Sequence, residues 1–359
     1  MDILSKIAYL KDNSGLDFDD DLFVGMLASL VGKQHAIVTV SSEEYLDYIE
    51  QMILLIGSNI FGFNTSSVVC SPEMSSREFA NALLVSTKHV SGSFSPLPSV
   101  NTTSLPDPNY SELDNGLNKF QNLDQSSLNL TKKFPNLIVI RELDKSNNYV
   151  QARLLEILRS KKLVTSQGVV ITSFPFLVIP LLVKTSAQVQ LFPYLLDHFF
   201  ISHNYEPSIP VDIDESKKFN FPLSPYSFQC LVSVKDIESI SSIANNVIIS
   251  AEIRRYMHDV IVHLRLHRAV GGGISARASK DMELFVKCLA PLHGINFATP
   301  ILVSIATRKV YSHRLAIPLP EEERTMIYGS DLDAVKNFLQ HWTADLVIDD
   351  VISSVAAPM

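Results

Sequence analysis

Across residues 20–33 (DDLFVGMLASLVGK) apolar side chains return every three or four positions, the period of an amphipathic helix. Acidic residues stand at its start, where the helix dipole favours them, and Gly32 supplies a stop. The unbroken apolar run at 36–40 (AIVTV) predicts a buried strand. Helical spacing resumes over 43–57 (EEYLDYIEQMILLIG) and 75–87, with a short strand at 67–70 between them. FPNLIVI at 134–140 predicts a core strand, 147–161 a helix, and 162–182 a hairpin about Gly168 followed by a buried strand, FLVIPLLV. Strands alternating with helices predict a three-layer α/β domain with a largely parallel sheet.

Two stretches break the pattern. Residues 91–133 turn to Ser, Asn, Pro, Asp and Leu without a steady period, the composition of a disordered insertion. Residues 208–227, with SIPVDID and FPLSPY, are Pro-rich and predict a hinge. After 228 the chain is helical in period. The expected organisation is an α/β core over 1–207, the hinge, a helical lid over 228–317, and an acidic helical extension over 318–359 anchored by Trp342, the only tryptophan.

The 359 residues are 46% hydrophobic and 19% charged, enough for a large core. No charge-free apolar run is long enough for a membrane span, and the acidic N-terminus lacks a signal-peptide pattern. A cytoplasmic or nuclear protein without membrane partners is expected. Cys70, Cys230 and Cys288 are scattered, as reduced thiols are. The net charge of −8 disfavours general nucleic-acid coating. The charge is uneven, however: residues 251–317 carry ten Lys/Arg against four Asp/Glu, a balance of +6 that leaves −14 elsewhere. A solvated helix face explains that surplus, and a surface for nucleic acid or an acidic partner is the alternative.

Candidate chemistry is mostly conspicuous by the residues that replace it. A phosphate-binding loop needs glycines, a lysine and a Ser/Thr between the first strand and its helix. Here the residues after Val40 are Ser41, Ser42, Glu43, Glu44 and Tyr45. Two glutamates at a helix N-terminus repel phosphate; they suit the helix dipole instead, with Ser42 as the cap. Gly32-Lys33 does not substitute. Leu27 holds the position of the required first glycine, Gln34 that of the hydroxyl residue, and the pair precedes the strand. His263 and His267 share a helix face, but Leu264 stands where a zinc protease needs Glu, and no third ligand is evident. Gly271–Gly273 joins two helices and reads as a connector.

Residues 252–315 carry the strongest resemblance. Helices open at Ser275-Ala276-Arg277-Ala278 and at Asn296-Phe297-Ala298-Thr299-Pro300, and the segment closes on His313-Arg314-Leu315. Upstream, the strand ending at Arg141-Glu142 leads to Val150-Gln151-Ala152-Arg153-Leu154-Leu155-Glu156. Together these resemble the MoxR and magnesium-chelatase branch of the AAA+ ATPases. The chain looks most like the fungal maintenance of telomere capping protein 2 family, a divergent relative of that branch.

The resemblance implies an AAA+-like core with a C-terminal lid. It places the Walker B pair on Arg141 and Glu142, the arginine finger on His198 and the second sensor on Arg277. The Mg²⁺-organising Asp is thus a cation, and no Asn marks the sensor strand at 176–183. A pseudo-ATPase without cofactor or metal is expected, acting through protein partners in a homo- or hetero-oligomer. Arg277 is expected to hold the lid closed through a buried or half-buried ion pair with a core acid, Glu142 being the first candidate. Arg265, His267, Arg268 and Arg308 are the candidate partner surface. The alternative is a nucleic-acid-associated protein using the basic lid, distinguishable by steep salt dependence.

Overall fold

The computed structural model describes residue 7 and residues 18–87, 131–165, 168–184, 191–206 and 231–358. The expected hinge at 208–227, most of the insertion at 91–133, and Cys230 lie outside the described residues.

Helix α1 (Asp20–Val31) starts at Asp19, whose carboxylate accepts from the backbone N–H groups of Asp21 and Leu22. Strand β1 (Ala36–Val40) leads through a tight turn into α2 (Leu46–Leu55), which widens into a π turn at Ile56–Ile60. Gly57 is required there, because a Cβ would collide with Leu137 and Thr65. Next come β2 (Thr65–Val69), α3 (Ser76–Ala82), β3 (Val85–Thr87), β4 (Thr131–Lys133) and β5 (Leu137–Arg141). The chain continues through α4 (Asn148–Ser160), β6 (Lys162–Thr165), β7 (Gly168–Ile171), β8 (Leu177–Val183) and β9 (Ile201–Tyr205).

Five strands pair in parallel in the order β2-β5-β8-β1-β9. The α/β expectation with a largely parallel sheet holds. Alternation along each central strand feeds two separate cores, as the pleat dictates. Leu137 and Val139 of β5, and Leu177, Ile179 and Leu181 of β8, face a core shared with α1, α2 and the C-terminal helices. Ile138, Ile140, Val178 and Leu182 face the other, built with Phe79 of α3 and Val150, Leu154 and Ile157 of α4.

Three local readings are corrected. The helix from Ser75 ends at Ala82, and the β-branched Val85 and Thr87 belong to a strand paired antiparallel with β4. The insertion therefore stops short of Thr131. Ser42 holds a cap position without a side-chain cap bond, and Glu43–Tyr45 form a 3₁₀ turn. Strand β9, beside β1 at the sheet edge, had no reading in the apolar pattern. Its Ser202 and His203 are polar yet buried.

The C-terminal region is helical as expected. Helices α5 (Val234–Asn245), α6 (Ala251–Leu266), α7 (Ala276–Leu292) and α8 (Pro300–Tyr311) pack on the α1 side of the sheet. Two further helices, α9 (Leu332–Leu339) and α10 (Ala344–Ser354), form the extension. No helix among the described residues is long and apolar enough to cross a membrane.

Candidate functional site

In a parallel α/β sheet ligands bind beyond the carboxyl ends of the strands, where neighbouring connections diverge. Here that place lies outside Val40 of β1, flanked by Val183 of β8 and Tyr205 of β9, with Arg141 of β5 one strand beyond.

The crevice is closed by the chain's own charges. Arg141 points Nη1 at Asp47 Oδ1 (2.5 Å) and Glu50 Oε2 (2.8 Å), both on α2. Burial works against the Arg141 charge, but its bonds to Asp47 and Glu50 prevail and hold its pKa above the ordinary value. Glu142, in the left-handed region at φ 54°, bonds Lys145 at 2.8 Å, and Lys145 also reaches Glu43 at 3.5 Å. Tyr45, Tyr48 and Tyr205 cluster beside them, with ring centroids 6.2 and 6.1 Å from Tyr205. The helical pattern Val150 to Glu156 has a structural use. Buried Gln151 donates to the carbonyls of Leu143 and Ser146 and accepts from the Phe192 N–H, tying the β5 exit to the β9 approach.

Arg277 and Glu142 do not meet, which corrects the expected lid pair. Glu142 leaves the carboxyl end of β5, whereas Arg277 stands near the residues that precede β1 and β9. Arg277 Nη1 lies 3.2 Å from His198 Nε2, and its Nη2 donates to Gln34 Oε1 at 3.5 Å. Its carboxylate neighbour is Asp281, at 3.8 Å. The positions assigned to the arginine finger and second sensor thus touch each other at the amino end of the sheet. Burial, then Arg277 and Arg159, lower the His198 pKa to about 4, so the neutral ring accepts from Arg277.

The buried guanidinium at the joint between helices and core belongs to Arg314, which pairs with Asp281 of α7 and reaches Asp197 and Phe199 of the core. Its side chain is 1% exposed, and Nη2 bonds Asp281 Oδ2 at 2.6 Å and the Phe199 carbonyl at 2.7 Å. Nη1 donates to the Val310 carbonyl at 3.1 Å. Half-buried His313 adds a bond to the same Phe199 carbonyl at 3.0 Å. Ser275 caps α7, accepting from Ala278 N–H and donating to Asp197 at 2.7 Å. Gly273, at φ 96°, lets the connector pass against the Arg314 carbonyl, where any Cβ would collide. Only the His-Arg residue types at the end of the lid segment hinted at this arrangement.

Three of the four residues of the expected partner surface make contacts with the acidic extension, while Arg265, Arg268 and Arg308 stay exposed. Arg268 pairs with buried Glu323 at 3.3 Å and lies 4.5 Å from the Phe338 ring. His267 packs edge-on to Trp342 at 4.6 Å and lies 3.5 Å from Asp350. Arg308 pairs with Asp349 at 2.7 Å. Arg265 remains at a cavity rim. Two cations of the lid surplus, Arg268 and Arg308, thus meet a carboxylate of the extension. His263 bonds the Asp259 carbonyl, away from the His267 contacts.

No family model matches the chain. It is 35% identical over 106 residues to maintenance of telomere capping protein 2 of Kluyveromyces lactis, covering 28% of this chain and 39% of that protein. It is 26% identical over 136 residues to the protein of that name from Saccharomyces cerevisiae, covering 32% of this chain and 38% of the relative. The matches thus span about two fifths of these curated relatives. A solved structure from Cytophaga hutchinsonii, described as a candidate ATPase, superposes over 99% of this chain and 96% of its own at a TM-score of 0.66. At 14% identity that likeness is one of fold. The resemblance read from residues 141–156 and 252–315 agrees with both findings.

Proposed function

We propose that this chain is a non-catalytic AAA+-like scaffold that works through protein partners, in the maintenance of chromosome ends to which its relatives' name points. The observation that carries the reading is Arg141 bridging Asp47 and Glu50 across the crevice beyond β1 and β5. A nucleotide–Mg²⁺ group does not fit these residues. A cation stands where the metal's carboxylate is needed, and Glu43, Glu44 and Asp47 present negative charge where phosphates would lie. The bridge pairs Arg141 with two carboxylates without a ligand, and the charge left over is negative, which phosphates would not relieve. A nuclear place of work accords with the relatives' name.

The nucleic-acid alternative loses support from the pairing of Arg268 and Arg308 with the extension. Isothermal titration with Mg-ATP and Mg-ADP tests the main reading. No saturable heat is expected at millimolar nucleotide. ATP turnover that disappears in Glu142→Gln would overturn it. Partner capture that collapses steeply between low and moderate salt would favour nucleic acid over a protein surface.

A further inference from the structure

The amino end of the sheet holds two open cavities that share a wall. The first, about 720 Å³, is lined by Leu191, Leu196, Val270 and Ile274, with Arg265 and Arg324 also on its walls. The second, about 780 Å³, is lined by Lys33, Arg159, Lys161 and Arg277. Tyr194 and Asp197 line both, and Tyr194 is 73% exposed.

The second chamber gathers exposed cations, with the Lys33 ammonium 5.2 Å from the Phe174 ring centroid. Among the described residues, no carboxylate lies within ion-pair distance of Lys33, Arg159 or Lys161. Asp197 is already held by Ser275 at 2.7 Å and Arg314 at 3.5 Å. Arg277 shares Asp281 with Arg314, which makes the shorter contact.

Two of these cations are held at a conformational cost. Lys33 and Lys161 both have φ of 54°, where glycine is cheaper by about 1 kcal/mol or more. Each follows a helix terminus, the position where a glycine commonly ends the turn. Strain retained at two lysines facing one cavity points to a use for their charge.

We propose that the two cavities form one docking groove for a short acidic segment of a partner protein. A large apolar side chain would seat against Val270 and Ile274, and carboxylates would meet Lys33, Lys161, Arg159 and Arg277. Charge complementarity selects acidic over basic or neutral segments. The apolar chamber selects a peptide over a nucleic-acid backbone, whose binding is carried by phosphate contacts. The inference rests on reading the chain as a partner-binding protein. Its failure would leave the nucleotide titration untouched.

Selection of a displayed random-peptide library on the full chain tests it. Enriched peptides are expected to place acidic residues beside one large apolar residue. A synthetic copy, followed by fluorescence polarisation at physiological salt, is expected to bind about tenfold or more weakly to Lys33→Glu/Lys161→Glu. Gly272→Leu should weaken it likewise, because a Cβ there meets nothing within 4 Å and the larger side chain fills the apolar chamber. Lys280→Glu, exposed on α7, is the charge control and should bind as the parent does. Melting temperatures of the four proteins should agree. An enriched pool without acidic bias, no enrichment, or unchanged binding by both groove variants would overturn the proposal. So would a single-stranded oligonucleotide that binds through Lys33 and Lys161 where the peptides do not.

Discussion

The carboxyl end of the sheet and its amino end are both rich in charge, yet they solve the charge differently. At the carboxyl end Arg141 meets Asp47 and Glu50, and Lys145 meets Glu142 and Glu43. At the amino end Arg277 leans on neutral His198, and Lys33, Arg159 and Lys161 face a cavity. The first end pairs its cations within the chain and keeps a surplus of carboxylates; the second has exposed cations with no carboxylate in ion-pair distance among the described residues. On our proposal the groove that takes a ligand is therefore at the amino end.

The largest test of this contrast is Arg314, which anchors the helices that wall the amino-end groove. Arg314→Met leaves Asp281 buried without its partner and should cost about 3–5 kcal/mol in urea unfolding. Adding Asp281→Leu should restore much of that loss, because a buried pair exchanged for apolar groups is often neutral. Should the double variant stay as weak as the single, the loss comes from Arg314's bonds to Asp197 and Phe199 of the core and not from its pair with Asp281.

At the carboxyl end Arg141→Ala should cost about 2 kcal/mol through its charge-assisted bonds to Asp47 and Glu50. A thermally silent Arg141→Ala would mean that the crevice is not held shut by that bridge.

Acid should act on three histidines whose pKa folding lowers. Burial, then Lys161 and His198, lower His35 to about 3; His198 lies at about 4; burial puts His313 well below its ordinary value. Each is neutral when folded and binds a proton more readily when unfolded. Their contribution is complete above about pH 6.5 and is lost as pH falls toward the folded values. Melting temperature should therefore drop below about pH 6.5, and His198→Gln should shallow that slope. An unchanged slope in the variant would show that His198 does not titrate between the two states.

The smallest effect is expected for Arg277→Ala. This half-exposed side chain has its carboxylate neighbour at 3.8 Å, so stability should change by about 1 kcal/mol or less. Peptide binding should fall all the same, separating function from folding at the amino end.

Strands β1, β5 and β8 were legible because both their faces are buried, which writes an unbroken apolar run into the chain. Helix α4 was legible from its period and from Gly168 in the hairpin beyond it. Strand β9 was not, because its buried polar residues are satisfied from far away. His203 lies 3.2 Å from both Asp19 and Asp21, and Ser202 lies 2.6 Å from Ser312. The expected pair of Arg277 with Glu142 misled because the two lie at opposite ends of the sheet, and sequence order carries no sign of which end a lid packs on. The partners of the basic lid were not legible for a related reason. Glu323 and Asp349, which pair with Arg268 and Arg308, come from a separate segment.

The small ladder between β3 and β4 has a consequence for how this chain can change length. Thr87 pairs with Thr131, so the two ends that flank residues 88–130 are held side by side. Whatever is threaded between them loads no strain onto the five-stranded sheet, since the clasp has already fixed both ends. Closing a loop costs only about 0.6 kcal/mol more for each doubling of its length. The clasp is therefore a port: sequence can be gained or shed there while the registers of β2 and β5 stay as they are.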